Sequence, residues 1–129
     1  MEQLRKKLEN SLHKGFIDQY KPVSAQFKPK LLTNKKHENV LSTLLQELKT
    51  CKTFIFSVAF ITEGGLATLK TMLYDLEKIG VKGRILTSTF LSFNQPKMFK
   101  ELLKLKNVDV RLSDAKGFHS KGYIFEHEN

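Results

Sequence analysis

No stretch limits the possible folds more than the apolar run from Phe54 to Ile61, which only Ser57 interrupts. A strand with one face in water alternates apolar and polar residues, whereas this run is apolar at consecutive positions. The pattern predicts a central strand that is covered on both faces. Such a strand needs helices packed against its sheet.

Helical patterns flank this run on both sides. Asn34 is expected to cap a helix over residues 34–49, in which apolar residues recur every three to four positions. A second helix is predicted over residues 65–78 and ends at a glycine. Pro96 occupies the first turn of a third helix, which reaches about residue 105.

Strand patterns alternate with these helices. Residues 82–88 form the next predicted strand, residues 108–112 alternate cleanly, and residues 117–125 are rich in aromatic and β-branched side chains. Because strands and helices alternate, we expect an α/β fold with a mixed, mainly parallel sheet and helices on both faces. The last strand follows a short loop, so we expect it to run antiparallel to a neighbour.

The N-terminal part of the chain has a different character. Leucines recur every four residues from Leu4 to Leu12, which predicts a short amphipathic helix that packs on the body of the domain. The stretch from Phe16 to Lys36 contains two prolines and no regular period, so it is interpreted as an extended connection. We therefore divide the chain into a basic helix and arm, residues 1–36, and an α/β domain, residues 37–129.

The net charge points to a polyanionic partner. The chain carries 22 Lys and Arg against 13 Asp and Glu, for a formal charge of +9. Nucleic acid is the simplest such partner, although a solvated lysine-rich surface has the same composition. A single cysteine excludes an internal disulfide. The sequence has no secretory signal and no apolar run of the roughly 20 residues that span a membrane, so we expect a cytoplasmic protein with no membrane partner.

Two residues of the last predicted strand carry the candidate chemistry. His119 and Lys121 are two positions apart, so their side chains are expected on one face of the strand. An imidazole beside a fixed cation suits attack on a phosphodiester, because the imidazole can act as nucleophile or proton donor while the ammonium neutralises a phosphate oxygen. A lone histidine on a strand is nevertheless more often a surface or core-edge residue.

Hydroxyl side chains are further candidates for phosphate contacts. Ser57 lies within the first strand, and Thr87 and Ser88 lie at the carboxyl end of the second. Residues of this kind are more often small buried polar groups or caps of the next turn. The histidines show no metal-ligand spacing with a cysteine or a carboxylate cluster, so we assign no metal and no cofactor.

Taken in order and spacing, these segments resemble the first half of a phospholipase D-like domain. The version they resemble is fused to the N-terminus of bacterial superfamily 2 helicases and restriction-type proteins. The resemblance covers roughly residues 38–126 and rests on four segments: the first strand with its Thr62-Glu63-Gly64-Gly65 turn, the hydroxyl-rich second strand, Asn107-Val108-Asp109-Val110-Arg111, and Gly117-Phe118-His119-Ser120-Lys121-Gly122-Tyr123-Ile124-Phe125.

The resemblance implies a metal-independent phosphodiesterase, namely a nuclease attached to DNA-processing machinery with an ATP-binding helicase part beyond this chain. In such enzymes two His-x-Lys motifs share one site, one histidine forms a phosphohistidine and the other protonates the leaving oxygen. His119 would be nucleophile or acid/base and Lys121 the phosphate clamp. Glu126 stands where the family motif has aspartate, and we count it with the catalytic residues.

The same resemblance implies an incomplete domain. The chain has one His-x-Lys motif and stops before the Gly-Ser-x-Asn segment of the family. We therefore expect either a symmetric homodimer or the remainder of a longer chain to complete the site, and the isolated chain to be inactive or nearly so. The alternative is a binding module that holds DNA phosphates without chemistry. A lipid phosphodiesterase finds no support in the sequence.

Overall fold

The computed structural model describes residues 1–16, 32–36, 39–89 and 96–128, in two compact units, Met1–Val40 and Leu41–Asn129. In the first unit, helix α1 (Glu2–Phe16) has an acidic residue in its first turn, which favours a helix start. Its leucines at positions 4, 8 and 12 are 43–50% exposed. Gly15 follows the leucine repeat and is expected from the sequence to cap this helix, but the helix continues through it. Most of the predicted extended connection, residues 17–31, lies outside the described residues.

The described residues of the second unit form three helices and four strands in chain order. These are α2 (Val40–Leu48), β1 (Thr53–Val58), α3 (Glu63–Lys78), β2 (Lys82–Ser88), α4 (Pro96–Leu102), β3 (Val108–Ser113) and β4 (Lys121–Glu126). None of the helices in the described parts of the chain is long and apolar enough to cross a bilayer.

Helix α2 starts later than the sequence predicts. Asn34 has a φ of +31°, whereas an N-cap residue needs extended backbone, so Asn34 cannot cap a helix. Helix α3 starts at Glu63, slightly earlier than predicted, and has a capping residue at its start and the expected glycine after its end. The Thr62 side-chain oxygen accepts a hydrogen bond from the Gly65 N–H at 3.1 Å, and Gly80 has the positive φ of +76° that a chain reversal after a helix requires.

The four strands form a mixed sheet in the order β3-β2-β1-β4, which confirms the α/β class. Strands β1, β2 and β3 are parallel, and β4 runs antiparallel to β1 as expected. One face of this sheet is here called the helix face. It consists of paired positions on all four strands: Phe54, Phe56 and Val58 of β1, Gly83, Ile85 and Thr87 of β2, Val108, Val110 and Leu112 of β3, and Lys121, Tyr123 and Phe125 of β4.

The apolar core lies on the helix face. Phe54 and Phe56 are 1% and 3% exposed and pack in one cluster with leucines of α3 and with Leu102 of α4. Leu48 of α2 is fully buried in the same cluster. The sheet and its helices therefore share a single core in this unit.

The expectation of helices on both faces of the sheet is wrong for the described part of this unit. From β1 to β2 to β3 the chain moves one strand at a time in the same direction, and right-handed crossovers then place both connecting helices on the same side. Ile124, on the opposite face, is 64% exposed. The apolar run from Phe54 to Ile61 is also shorter as a strand than predicted. Strand β1 ends at Val58, and the last residues of the run belong to the connection to α3.

Candidate functional site

The candidate site lies at the edge where the parallel strands end. Val58, Ser88 and Ser113 are the last residues of β1, β2 and β3. Because β4 is antiparallel, its first residue, Lys121, pairs with Val58 at this same edge. In open α/β sheets, ligands bind outside the carboxyl ends of the strands.

The structure brings His119 and Lys121 together at this edge. The Nζ atom of Lys121 is 2.6 Å from the Nε2 atom of His119, and both residues are exposed. Lysine has donors only, so Nζ donates and Nε2 accepts, which requires a neutral imidazole with its proton on Nδ1. The proximity expected from the sequence is present, but His119 precedes the strand because β4 begins at Lys121.

An aromatic ring also lies close to the lysine. The Nζ atom of Lys121 is 5.7 Å from the ring centre of Phe60, within the range of a cation–π contact. Phe60 belongs to the connection between β1 and α3. The ammonium therefore contacts both the imidazole and a ring from this connection.

A short hydrogen-bond network fixes the backbone between the two candidate residues. The backbone N–H of Ala59 donates to the carbonyl of Ser120 at 2.8 Å, and the Ser57 hydroxyl donates to the Ser120 hydroxyl at 2.9 Å. The Ser88 hydroxyl donates to the Ala59 carbonyl at 2.7 Å. Strands β1 and β2 therefore both position the segment that carries His119 and Lys121.

The predicted hydroxyl candidates thus take part in the scaffold of the site. Ser57 and Ser88 bind protein groups through the bonds above, and Ser88 is 2% exposed. Thr87 is fully buried on the helix face. Sequence reasoning missed Ser120, although its place between His119 and Lys121, pointing to the opposite face, was a signal for a positioning residue.

Glu126 is not brought to the pair. It pairs with Thr53, at the end of β1 opposite to Val58, and it lies on the sheet face opposite to Lys121. Five residue steps along the strand separate it from Lys121, which corresponds to about 16 Å. A carboxylate at that distance cannot orient the imidazole of His119.

An apolar cavity of about 160 Å³ opens beside the lysine on the helix face. Its wall includes Phe60, which Lys121 contacts, and Tyr123, which follows Lys121 on the same face of β4. The remaining wall is almost entirely aliphatic or aromatic. Within the described residues, no three His, Cys, Asp or Glu side chains group in a way that could hold a metal ion.

Comparison with known proteins adds no family assignment: the sequence matches no protein-family model, and no curated protein aligns with it significantly.

Proposed function

We propose that the protein carries a half-site for phosphodiester chemistry on nucleic acid, of the phospholipase D-like kind, in which His119 is the nucleophile and Lys121 holds the phosphate. The single observation that supports it best is the 2.6 Å contact between Lys121 Nζ and His119 Nε2 at the carboxyl edge of the sheet. The net charge of +9 favours a polyanionic substrate such as DNA.

The arrangement suits each step of the first half of such a reaction. When Lys121 donates its hydrogen bond to a phosphate oxygen and no longer to Nε2, the lone pair of Nε2 is available to attack phosphorus. Nε2 then forms a bond to phosphorus, the bond from phosphorus to the leaving oxygen breaks, and the leaving oxygen keeps its electron pair. The imidazolium that forms can release the proton on Nδ1.

The second half of the reaction needs groups beyond this pair. An alkoxide leaving group has to be protonated, and the phosphohistidine has to be attacked by an activated water. Glu126 lies about 16 Å along the strand from Lys121 and cannot serve there. We propose that a second imidazole, from another copy of the chain or from a further part of the protein, supplies these proton transfers.

A diester with nitrophenolate leaving groups tests the half-site, because nitrophenolate leaves without a proton. We expect bis(4-nitrophenyl) phosphate, mixed with the protein in EDTA, to release about one equivalent of nitrophenolate per chain and then stop, since little activates water. Mass spectrometry is expected to find the corresponding adduct on His119. Turnover of DNA under the same conditions should be absent or very slow.

Matched variants give this experiment its controls. His119→Asn should abolish the burst, and Lys121→Gln should slow it by about 10²-fold or more. His127→Asn should leave it unchanged, because His127 lies at the other end of β4 beside Glu47. A burst that survives His119→Asn would overturn the assignment of the nucleophile.

The alternative function is a module that binds DNA phosphates without chemistry. The position of Glu126, remote from the pair, favours it, because Glu126 then cannot support the imidazole. The absence of a burst, together with phosphate binding that depends on Lys121, would favour this alternative. If the protein shows no burst and also binds no phosphate, both proposed functions are overturned.

A further inference from the structure

We infer that the apolar cavity beside Lys121 is a subsite for a single aromatic ring of the substrate, such as the pyrimidine base of a nucleotide whose phosphate lies on His119 and Lys121. The inference rests on the proposed function, since it extends the same site. It adds a preference for an unpaired base, because a base within a duplex cannot enter a cavity.

The walls of the cavity fit a flat apolar group. They come from β1, β2 and β4 of the sheet, from the connection after β1, and from α3 and α4. The lining residues that form the mouth are Val58, Phe60, Ile61, Leu69 and Tyr123, each partly buried or exposed, while Phe56 and Ile85 form the buried end. Aromatic side chains are the usual partners for bases that have left their stack.

The volume fits one ring. The cavity measures about 160 Å³. An apolar cavity of about 150 Å³ in another protein stays dry and binds benzene, so a cavity of this size and lining accommodates a six-membered ring and disfavours water. A two-ring purine requires more space, which predicts a preference for pyrimidines.

His119 and Lys121 lie next to the cavity, because Phe60 belongs to both places. Lys121 contacts the ring of Phe60, and Phe60 lines the cavity. Tyr123 stands two residues after Lys121 on the helix face, about 7 Å along the strand, and packs edge-to-face on Phe56 at 5.2 Å between ring centres. A ligand whose anionic group and ring are separated by a few bonds can therefore place the anion at His119 and Lys121 and the ring in the cavity at the same time.

Four phosphate compounds test the subsite by calorimetry. We expect thymidine 5′-monophosphate and phenyl phosphate to bind at least about tenfold more tightly than ribose 5-phosphate, because burial of one ring favours binding by more than that factor. Guanosine 5′-monophosphate should show a smaller gain in affinity over ribose 5-phosphate, because its purine is too large for the cavity. All four compounds should lose affinity in Lys121→Gln.

A variant that fills the cavity separates the subsite from the phosphate site. Leu69→Trp should remove the advantage of the two ring compounds and leave ribose 5-phosphate binding unchanged. Leu69→Met, which keeps the volume, should retain the advantage. Since Leu69→Trp can disturb the core, Tyr123→Ala at the exposed mouth is the second variant, and it should reduce the advantage severalfold without changing ribose 5-phosphate binding.

The outcomes are distinguishable. Equal binding of all four compounds, weakened in Lys121→Gln, would overturn the subsite and leave the phosphate site standing. No binding of any compound would overturn the proposed function as well. A change of oligomeric state in Tyr123→Ala by sedimentation, with no change in ring preference, would show that a side chain of a second copy fills the cavity and would also overturn the subsite.

Discussion

At the residue scale, the least replaceable position of the core is Gly83. A Cβ atom on Gly83 would lie 2.0 Å from Cζ of Phe54 and 2.3 Å from Cε2 of the same ring. Phe54 is 1% exposed and cannot move aside without shifting its neighbours. The far end of the Phe54 ring therefore lies against the backbone of β2, where a glycine leaves room for it.

The substitution Gly83→Ala is expected to destabilise the protein by about 1–3 kcal/mol, because it overpacks the centre of the core. Urea unfolding followed by circular dichroism measures this change in the free energy of unfolding. Gly122→Ala is the matched control, since a Cβ there meets nothing within 4 Å, and we expect a change within about 0.5 kcal/mol. Equal effects of the two substitutions would contradict this explanation of Gly83.

At the element scale, a carboxylate of α4 joins the two crossover helices. Glu101 of α4 accepts hydrogen bonds from Lys70 of α3 and from Lys104. Hydrogen bonds from Lys104 and Lys70 lower the pKa of Glu101 to about 2. The two helices pack on the same face of the sheet, and the bridge between Lys70 and Glu101 connects them directly.

The bridge predicts a pH-dependent contribution to stability. A carboxyl group whose pKa is lowered on folding stabilises the protein fully above its ordinary value of 4.5, and the contribution is lost as the pH falls toward about 2. Glu101→Gln should therefore lower the melting temperature at pH 7, and the difference from the parent chain should shrink steadily below pH 4.5 and vanish near pH 2.

Glu63→Gln provides the comparison for this measurement. Glu63 pairs with Lys97 at 2.6 Å, but both side chains are 62% exposed, so the pair contributes little. We expect a smaller change in melting temperature with little pH dependence. A constant difference between Glu101→Gln and the parent chain from pH 7 to pH 2 would contradict the role of the bridge.

Most elements of the sheet and the crossover helices follow from local patterns. Leucine spacing and Gly80 predict α3, and the two-residue spacing of His119 and Lys121 predicts their proximity. The side of the sheet that each helix covers depends on strand order, which no local pattern reveals. The start of β4 at Lys121 depends on where β1 ends, so the sequence alone placed His119 inside a strand that it precedes.

At the scale of the whole molecule, the two ends of β4 hold histidines in different settings. At the carboxyl edge of the parallel strands, His119 accepts a hydrogen bond from a lysine, and an apolar cavity adjoins that lysine. At the other end, His127 lies 2.8 Å from the carboxylate of Glu47 and is already paired with an anion. An added phosphate is therefore complemented at the first histidine and repelled at the second.

The most direct measurement is an NMR titration of the imidazole resonances with inorganic phosphate. We predict a saturable shift of the His119 resonances, no saturable shift of those of His127, and a dissociation constant that rises at least about tenfold in Lys121→Gln, because a charge-assisted hydrogen bond is lost. Non-saturable shifts of both histidines, or an unchanged dissociation constant in Lys121→Gln, would contradict a phosphate site at this edge of the sheet.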